Sequence, residues 1–340
     1  MKAYLLNRSG KPETLKIHEV PEPVPGEREV KVKVETIGIN YAEILSRRGQ
    51  YRWAPKRPYI PGMEAYGEVV EVGSGVKDVQ VGAKVIVGNQ YGAYAEFICV
   101  PDHLVFAANS EVTPEENAAL VVNFMTAWVG LVKQARVSAG ETVLVQAAAG
   151  GVGTAAIQLA KALGCKVYGT ASRTSKLELI QQLGADQAIN YASEDFYEII
   201  KSREGGIDCV LEVVGGEVFK KSVSLLNPFG RLVVIGFASI SFKKWNPLTW
   251  WKTWKDAPKA NVMAMAQGSY GISASHIGYL TEKPAIAKGA YAEMIEFINQ
   301  HQIKPHVGKV FPFEQMAEAH RFIESRESTG KVVVKLNNIN

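Results

Sequence analysis

The sequence predicts an α/β protein in which a doubly wound parallel sheet accompanies a domain rich in β-strands. Residues 1 to about 110 alternate apolar and polar side chains, as in EVKVKVETIGIN, which is typical of strands with one buried face. From about residue 141, apolar segments such as ETVLVQAA alternate with helical segments, through five strand–helix steps. Strands without polar alternation that are joined by helices indicate a parallel sheet covered on both faces.

The elements follow in chain order. GEVVEVGSGVKDVQVGAKVIV and GAYAEFICV continue the β-rich part, and Thr113 before Pro114 predicts a capped helix start. The parallel strands are predicted in ETVLVQAA, CKVYGTA, QAINY, IDCVLEVV and GRLVVIGF, with SASHIGYL as the sixth. AIAKGAYAEMIEFINQHQI is an amphipathic helix, and HVGKVFPF and GKVVVKL return to β. We therefore assign 1–122, completed by 282–340, to the β-rich domain and 123–281 to the parallel-sheet domain.

Composition narrows the class of protein. The chain has 340 residues, 47% of them hydrophobic and 21% charged, as expected of a soluble protein with two domains. A net charge of +4, with both signs interspersed, does not indicate a nucleic-acid partner. Cys99, Cys165 and Cys209 lack paired spacing, which favours a reducing cytoplasmic setting. The N-terminus shows no cleavable signal, and no apolar stretch reaches the length of a membrane span.

A glycine-rich turn, QAAAGGVGTAAIQLAK, follows the first predicted parallel strand and opens a helix. Gly150, Gly151, Val152 and Gly153 form its centre, and Ala148 replaces the first glycine of G-x-G-x-x-G. Glycines allow a tight turn and the close approach of a pyrophosphate, while the helix N-terminus adds free N–H groups and a positive dipole end. Among five strand–helix units, the turn predicts a dinucleotide site rather than a simple tight connection.

The end of the second parallel strand indicates which dinucleotide is preferred. NAD sites carry an acidic residue there, about 20 positions after the glycines, which binds the ribose 2′-hydroxyl. This chain has GTASRTSK instead, with Ser172, Arg173 and Lys176. A hydroxyl and two cations would stabilise a 2′-phosphate, although an ordinary basic helix start would look the same. Because basic residues are unfavourable at a helix N-terminus without a bound anion, we predict NADPH as the cofactor.

These motifs, in this order, resemble the zinc-free medium-chain dehydrogenase/reductase superfamily, in its quinone-oxidoreductase branch. The resemblance covers essentially the whole chain, and its segments are VKVETIGINYAEILSRRGQY, PGMEAYGEVVEVGSGVKDVQVGAKV, MTAW, QAAAGGVGTAAIQLAK, LGADQAINY and GKVVV. It implies a GroES-like β domain with a Rossmann-type domain, an active site in the cleft between them, and a homodimer formed through the sixth strand.

The resemblance also implies functional residues. Asn40 and Tyr51 would flank the nicotinamide end of the cofactor, and Thr126 would lie near its amide. Tyr191 would contact the adenosine phosphate end. Thr126 as a helix cap and Tyr191 as a packed aromatic are the structural alternatives. Many members of the branch have Tyr five positions after the Asn, where this chain has Leu45, so no role of that Tyr is transferred. The residues expected to line the ribose and nicotinamide side are Val234, Ile235, Gly236 and Phe237.

The segment PGMEAYG has the frame of the Pro-Gly-His-Glu-x-x-Gly segment of zinc-dependent alcohol dehydrogenases, but Met63 takes the place of the His ligand. A thioether suits zinc poorly, and a catalytic zinc needs three protein ligands. Beside Gly38, where another ligand is expected, the chain has Asn40 and Tyr41 and no Cys. We therefore predict that there is no metal site, and that Glu64 is structural or hydrogen-bonds within the pocket.

Hydride transfer to a quinone or an α,β-unsaturated carbonyl needs no Lewis acid, because the conjugated carbonyl delocalises the charge. The protein then has to position the nicotinamide and to place donors near the developing enolate. Asn40, Tyr51 and Tyr59 are the donors we expect, with solvent supplying the final proton. We predict an NADPH-dependent quinone or enone reductase. The alternatives are an enoyl-thioester reductase, and a cofactor-binding protein that acts mainly by binding a membrane, a protein or RNA.

One segment, FASISFKKWNPLTWWKTWKDAPKANVMAMAQGSYG followed by SHIGYL, resembles the vesicle amine transport protein subgroup. It holds four of the six Trp residues, and residues 242–259 contain five Lys against one Asp. Asn246 before Pro247 predicts a helix start. We interpret the segment as a packed lid or dimer element, and a basic amphipathic helix on an anionic membrane is the alternative.

Overall fold

A computed structural model of the chain describes residues 1–236 and 257–336. The chain divides into two compact units, one of Met1–Met125 with Ile277–Asn340 and one of Thr126–His276. The first unit contains the β-rich sequence and the second contains the parallel sheet. The predicted fold class, α/β with a doubly wound parallel sheet, is confirmed.

Strands and helices are numbered in chain order over the described residues. The strands are β1 Lys2–Leu5, β2 Lys16–Glu19, β3 Glu29–Ile39, β4 Glu64–Val72, β5 Lys84–Gly88, β6 Phe97–Pro101, β7 Val105–Ala107, β8 Thr142–Val145, β9 Lys166–Ala171, β10 Gln187–Asn190, β11 Ile207–Glu212, β12 Leu226–Val234, β13 Gly271–Ala274, β14 Val307–Pro312 and β15 Lys331–Lys335. The α-helices are α1 Tyr41–Arg48, α2 Pro114–Asn117, α3 Met125–Trp128, α4 Gly151–Ala162, α5 Thr174–Gln182, α6 Phe196–Glu204, α7 Gly216–Ser224, α8 Val262–Gly268, α9 Pro284–Gln300 and α10 Met316–Glu324.

The second unit is built on a six-stranded sheet in the order β10-β9-β8-β11-β12-β13, with every neighbouring pair parallel. This is the strand order of dinucleotide-binding sheets, with the first strand of the unit next to the fourth. All four residues of β8 are buried, which explains why its sequence shows no polar alternation. The carboxyl ends of these parallel strands meet at one edge of the sheet.

The sixth strand differs from its prediction. It is β13, and only Ser273 and Ala274 of SASHIGYL belong to it, while Ile277–Glu282 forms a 3₁₀ helix. β13 is partly exposed at the end of the sheet and contains Gly271, so it lacks the apolar run of a central strand. Its bounds are set by parallel pairing with β12, from Arg231 opposite Gly271 to Val234 opposite Ala274, which local sequence does not encode.

The first unit contains a seven-stranded sheet in the order β14-β15-β3-β4-β5-β7, with β6 also paired to β3. β15 runs antiparallel to β3, with Val332 opposite Ile39 and Val333 opposite Gly38. The prediction that the closing segments rejoin the N-terminal β-structure is therefore confirmed. This register brings the start of β15 beside the end of β3, where the chain enters α1.

Two predicted helix signals are also confirmed. The Thr113 side chain accepts a hydrogen bond from the Glu116 amide and the Glu116 carboxylate accepts one from the Thr113 amide, which makes a capping box at α2. α9 spans Pro284–Gln300, and the residues that it buries are Ala287, Ala290, Tyr291, Met294 and Ile298. These recur at helical spacing, as the amphipathic pattern predicts.

The helix predicted to start at Asn246 and Pro247 lies outside the described residues. Over 1–236 and 257–336, no helix is both long enough and apolar enough to cross a membrane.

Candidate active site

The glycine-rich turn of the second unit joins β8 to α4. An added Cβ at Gly153 would lie 2.5 Å from the carbonyl oxygen of Ala148 and 2.6 Å from that of Ala147. No side chain fits there, so the backbone approaches itself as closely as the fingerprint requires. At Gly150, which precedes α4 with φ −78°, an added Cβ would meet only the Ala147 carbonyl oxygen, at 3.3 Å. Of these two glycines, Gly153 is therefore the sterically essential one.

Ala147 has a left-handed backbone, with φ +51°, which is uncommon for a residue with a side chain. Its amide donates to Thr170 Oγ1 at 3.2 Å, and the Thr170 hydroxyl donates to Gln146 Oε1 at 2.7 Å. The Ala148 amide donates to the Thr170 carbonyl at 2.9 Å. Thr170 on β9 thus holds the start of the turn. In the sequence, the residue that replaces the first glycine of G-x-G-x-x-G is Ala148, whereas the residue with the positive φ is Ala147.

The predicted phosphate residues follow β9. Ser172 comes directly after the strand, Arg173 precedes α5, and Lys176 lies in the first turn of that helix. Arg173 is exposed, and Ser172 and Lys176 are half-buried. Among these three positions there is no carboxylate. The strand end therefore carries a hydroxyl and two cations at the place where a dinucleotide site contacts its ribose.

The other residues predicted to contact the cofactor also follow or end strands, apart from Thr126. Tyr191 follows β10, is 51% exposed, and donates its backbone amide to the Ala171 carbonyl at 3.0 Å. Val234 ends β12 and is followed by Ile235 and Gly236. Phe237 lies outside the described residues. Because β8, β9, β10 and β12 are parallel, their carboxyl ends bring these residues to the same edge of the sheet. Thr126 is a buried residue of α3.

Sequence analysis missed a buried acid at the same edge. Glu212 ends β11 and is fully buried, and its Oε1 accepts the amides of Val214 at 2.5 Å and Gly215 at 2.7 Å. Burial raises the pKa of this carboxyl. The side chain closes the turn that leads to α7. No local pattern distinguishes Glu212, because acidic residues that follow an apolar strand are also common in surface turns.

The first unit places a second set of polar residues at the start of α1. Asn40 precedes the helix, and its backbone amide donates to Glu43 Oε2. Glu43 Oε1 accepts the amide of Met63 at 2.8 Å. Glu43 is buried, and this burial raises the pKa of its carboxyl to about 7. Glu43 therefore links the start of α1 to the segment PGMEAYG, in which Met63 takes the place of the His of the zinc-dependent frame.

A buried ion pair lies beside Glu43. Lys331 Nζ donates to Glu64 Oε1, and the side chains are 1% and 0% exposed respectively. Lys331 also donates to Asn40 Oδ1 at 2.7 Å and to Asn123 Oδ1 at 3.2 Å. The second oxygen of Glu64 accepts the Val122 amide at 2.9 Å. Both oxygens of Glu64 are therefore hydrogen-bonded, Oε1 with Lys331 and Asn40 and Oε2 with Val122.

Lys331 was not predicted as a site residue. It begins the terminal motif GKVVV, whose pattern indicates only a strand, and its partners Glu64 and Asn40 are 267 and 291 residues away in sequence. Among the described residues, no group of three or more His, Cys, Asp or Glu side chains could hold a metal ion. The cation that the structure shows against Glu64 is the ammonium of Lys331.

The two predicted tyrosine donors have different surroundings. Tyr51 packs against Trp53 with ring centroids 5.5 Å apart, and burial together with the charge of Glu43 raises its pKa to about 12. Tyr59 is only 8% exposed and belongs to the hydrophobic core of the first unit. Trp53 Nε1 donates to the Tyr279 hydroxyl at 2.6 Å, which extends the aromatic group around Tyr51. Burial and the charge of Glu43 raise the pKa of Tyr59 as well, so both tyrosines lie near this buried acid.

Comparisons with known proteins agree with this architecture. The family model described as Alcohol dehydrogenase GroES-like domain matches residues 26–110, and the one described as Zinc-binding dehydrogenase matches residues 183–334. Synaptic vesicle membrane protein VAT-1 homolog from Homo sapiens is 35% identical over 315 residues, which cover 92% of this chain and 80% of that protein. Quinone oxidoreductase from Homo sapiens is 31% identical over 341 residues, covering 99% of this chain and 98% of that protein.

A solved structure shows the same relationship in three dimensions. Escherichia coli quinone oxidoreductase complexed with NADPH superimposes with a TM-score of 0.86 at 29% identity, covering 98% of this chain and 100% of that one. The GroES-like assignment of the β-rich domain is confirmed by the family match. By these similarities the chain belongs to the medium-chain dehydrogenase/reductase superfamily of oxidoreductases, in its zinc-free quinone-oxidoreductase branch.

Proposed function

We propose that the protein is an NADPH-dependent reductase that transfers hydride to quinones or α,β-unsaturated carbonyls without a metal ion. The observation that carries the proposal is the strand edge of the second unit, where the turn closed by Gly153 accompanies Ser172, Arg173 and Lys176. Human quinone oxidoreductase and the NADPH complex of the Escherichia coli enzyme are relatives over nearly the whole chain, which supports the same reaction class here.

The residues present fit NADPH. The backbone at Gly153 leaves no room for a Cβ, as a pyrophosphate turn requires, and the N-terminus of α4 would hold the pyrophosphate. Ser172, Arg173 and Lys176 would hold the 2′-phosphate, with Tyr191 at the adenosine end. NADPH supplies the hydride when it is bound.

On the acceptor side, the chain contributes hydrogen-bond donors rather than a Lewis acid. Tyr51 is protonated at neutral pH, as tyrosines ordinarily are, and its hydroxyl can donate to a developing enolate oxygen. Asn40 can donate through its amide. The position of a zinc ligand is taken by the thioether of Met63, and Lys331 already neutralises Glu64. These donors fit conjugated acceptors, in which the carbonyl spreads the charge.

A screen of NADPH oxidation tests the reaction. The purified chain is mixed with quinones, enals and enoyl thioesters, and we expect turnover with quinones or enals. Enoyl thioesters as the best acceptors would favour an enoyl-thioester reductase. No oxidation with any acceptor would exclude the reductase.

Cofactor preference is tested separately by binding. Arg173→Ala combined with Lys176→Ala should lower NADPH affinity by about 10- to 100-fold, since hydrogen bonds to charged groups contribute about 1.5–3 kcal/mol. NADH affinity should stay the same, because NADH lacks the 2′-phosphate. An unchanged ratio of the two affinities would show that the phosphate is held elsewhere. Lys161→Ala, which removes an ion pair to Asp186 at 2.8 Å on the same unit, is the matched control.

A second function, binding at a membrane surface, is favoured by one observation. A protein named synaptic vesicle membrane protein VAT-1 homolog is 35% identical to the chain. Liposome flotation distinguishes the two, because binding to anionic vesicles that persists without NADPH and without turnover would indicate a binding protein. Binding to anionic vesicles together with NADPH oxidation would support a reductase that acts at a membrane surface.

We also propose a homodimer that forms through the sixth strand. β13 lies at the end of the six-stranded sheet. Three apolar side chains of β12 and α8 are largely exposed: Phe229 by 82%, Val262 by 74% and Met263 by 70%. Exposed edges and apolar side chains are typical of interfaces. Light scattering of the wild-type chain and of Met263→Asp gives the mass, and a monomeric wild type would disprove the dimer.

A further inference from the structure

The ammonium of Lys331 is almost wholly removed from water, although the three residues that follow it on the strand are valines. Its side chain is 1% exposed, and the side chain of its partner Glu64 is 0% exposed. A buried ammonium needs a partner for each of its three N–H groups. Lys331 has them in Glu64 Oε1, Asn40 Oδ1 at 2.7 Å and Asn123 Oδ1 at 3.2 Å. The charge is therefore held at one position, next to the amide of Asn40.

This contact fixes which end of the Asn40 amide faces the lysine. Because an ammonium can only donate, the atom of Asn40 at 2.7 Å from Lys331 Nζ has to be the oxygen. The amide nitrogen then donates to Glu64 Oε1 at 3.0 Å and makes a longer contact to the Gly38 carbonyl at 3.4 Å. Turning the amide over would place N–H groups against the ammonium and the oxygen against the carboxylate. Both contacts oppose that flip.

The two N–H groups of Asn40 are thus unequally held. One points to the Glu64 carboxylate, and for the other the nearest acceptor among the described residues is the Gly38 carbonyl at 3.4 Å, close to the limit for a hydrogen bond. A carbonyl oxygen of a ligand can compete with so long a contact. The ammonium behind the amide also polarises it, which makes this N–H a stronger donor.

The surrounding backbone makes room for the arrangement. An added Cβ at Gly38 would lie 2.0 Å from the Ala118 carbonyl oxygen, 2.5 Å from Lys331 Cε and 2.9 Å from Glu64 Cγ. Gly38 on β3, Glu64 on β4 and Lys331 on β15 are adjacent because these strands pair with one another. The glycine of β3 therefore allows the lysine of β15 to reach the amide that precedes α1.

We propose that Lys331 is a positioning residue of the reductase, which holds the Asn40 amide so that an N–H faces the oxygen of the acceptor. This inference rests on the proposed NADPH-dependent reduction. Lys331 does not touch the acceptor and acts through Asn40.

The first test compares Lys331→Met with Lys335→Met. Lys335 lies on the same strand, is exposed, and pairs with Glu115 at 2.7 Å, so it is a matched control. In Lys331→Met we expect kcat to fall about 100-fold, as for the loss of one oriented donor, while NADPH affinity is retained. Lys335→Met should keep both. Wild-type kcat in Lys331→Met would overturn the proposal.

A double-mutant cycle separates positioning from general stabilisation. Asn40→Ala alone should lower kcat, and Lys331→Met should add little in that background, since the lysine acts through the amide. A structural role would lower kcat by the same factor in both backgrounds. Equal factors would therefore contradict the proposal.

Lys331→Met leaves Glu64 buried without its cation, so a second variant protects the test against misfolding. Lys331→Met combined with Glu64→Gln is neutral and close in volume, and it should fold and bind NADPH but remain slow. If it turns over at the wild-type rate, the proposal fails.

The orientation itself is measurable without turnover. In ¹H–¹⁵N spectra, the side-chain amide signal of Asn40, assigned through its loss in Asn40→Asp, should shift and broaden in Lys331→Met and not in Lys335→Met. An unchanged signal would show that Lys331 does not fix the amide, whether or not the wild type reduces any acceptor. An inactive wild type with the expected change in signal would exclude the proposed reaction and leave the positioning contact established.

Discussion

Gly153 and Gly150 lie three residues apart in the same turn, yet their surroundings differ. An added Cβ would meet two backbone carbonyl oxygens within 2.6 Å at Gly153, but a single one at 3.3 Å at Gly150. Backbone atoms cannot move away as a flexible side chain can. Glycine is therefore sterically required at position 153, whereas position 150 has room for a side chain.

Gly153→Ala should therefore weaken NADPH binding by at least about 10-fold and lower the free energy of unfolding by about 1–3 kcal/mol, as overpacking does. Gly150→Ala should change both only slightly. NADPH titration and denaturant unfolding of the two variants measure this. Equal effects of both substitutions would show that the turn adapts to a side chain at either position.

A second residue-scale prediction concerns Ala147, whose φ is +51°. Glycine adopts this conformation without the strain that a side chain adds, about 1–2 kcal/mol, but it also gains freedom in the unfolded chain. Ala147→Gly should thus leave the free energy of unfolding within about 1 kcal/mol of the wild type or raise it. Thermal and denaturant unfolding measure the change, and a loss of several kcal/mol would mean that the methyl group itself packs in the turn.

At the scale of elements, α1 and α10 are joined by a buried polar cluster. Arg47 donates to His320 Nδ1 at 3.3 Å and to Glu324, and the Tyr94 hydroxyl lies 2.9 Å from His320 Nε2. His320 is fully buried, and burial and the charge of Arg47 lower its pKa to about 3. The cluster anchors α1 through Arg47, which lies one helical turn after Glu43.

His320 should make the first unit sensitive to acid. Its pKa is lower in the folded state than in the unfolded chain, so its contribution to stability is complete above about pH 6.5 and is lost as the pH falls towards 3, by up to about 5 kcal/mol. His320→Gln, which does not titrate, should show a shallower loss of unfolding free energy over this range. Parallel pH profiles of wild type and variant would exclude His320 as the cause.

The capping box of α2 supports a further prediction at this scale. Thr113→Ala removes the hydrogen bond to the Glu116 amide and should lower the free energy of unfolding by about 1 kcal/mol. Thr113→Ser keeps the hydroxyl and should lose much less. Denaturant unfolding compares the two, and equal losses would mean that the methyl group rather than the cap stabilises the helix.

For the whole molecule, cofactor binding should raise thermal stability. A ligand at about 100 times its dissociation constant adds about 2.7 kcal/mol to the free energy of unfolding when it binds only the folded state. NADPH should therefore raise the melting temperature more than NADH at the same concentration. Arg173→Ala with Lys176→Ala should remove the difference between the two cofactors, and equal shifts in the wild type would contradict the NADPH preference.

Much of the fold follows from the sequence because its signals are local. Apolar strands alternating with helices predict the parallel sheet, and the glycine turn after ETVLVQAA predicts where it binds a dinucleotide. The Thr113 cap and the amphipathic pattern of α9 are equally local. β13 was misplaced because a partly exposed edge strand with a glycine has no such pattern, and its bounds depend on pairing with β12.

The sequence by itself determined the two kinds of domain, the glycine turn, the cations after β9 and the absence of a zinc ligand at Met63, since each depends on neighbours within a few residues. Only the tertiary structure decided which cation lies against Glu64, the residue that follows Met63. Lys331 meets Glu64 and Asn40 because β15 pairs with β3 and β3 pairs with β4, across 267 and 291 residues of chain. Strand pairing at such separation is set by the packing of the whole sheet, so no local pattern could reveal the buried ammonium.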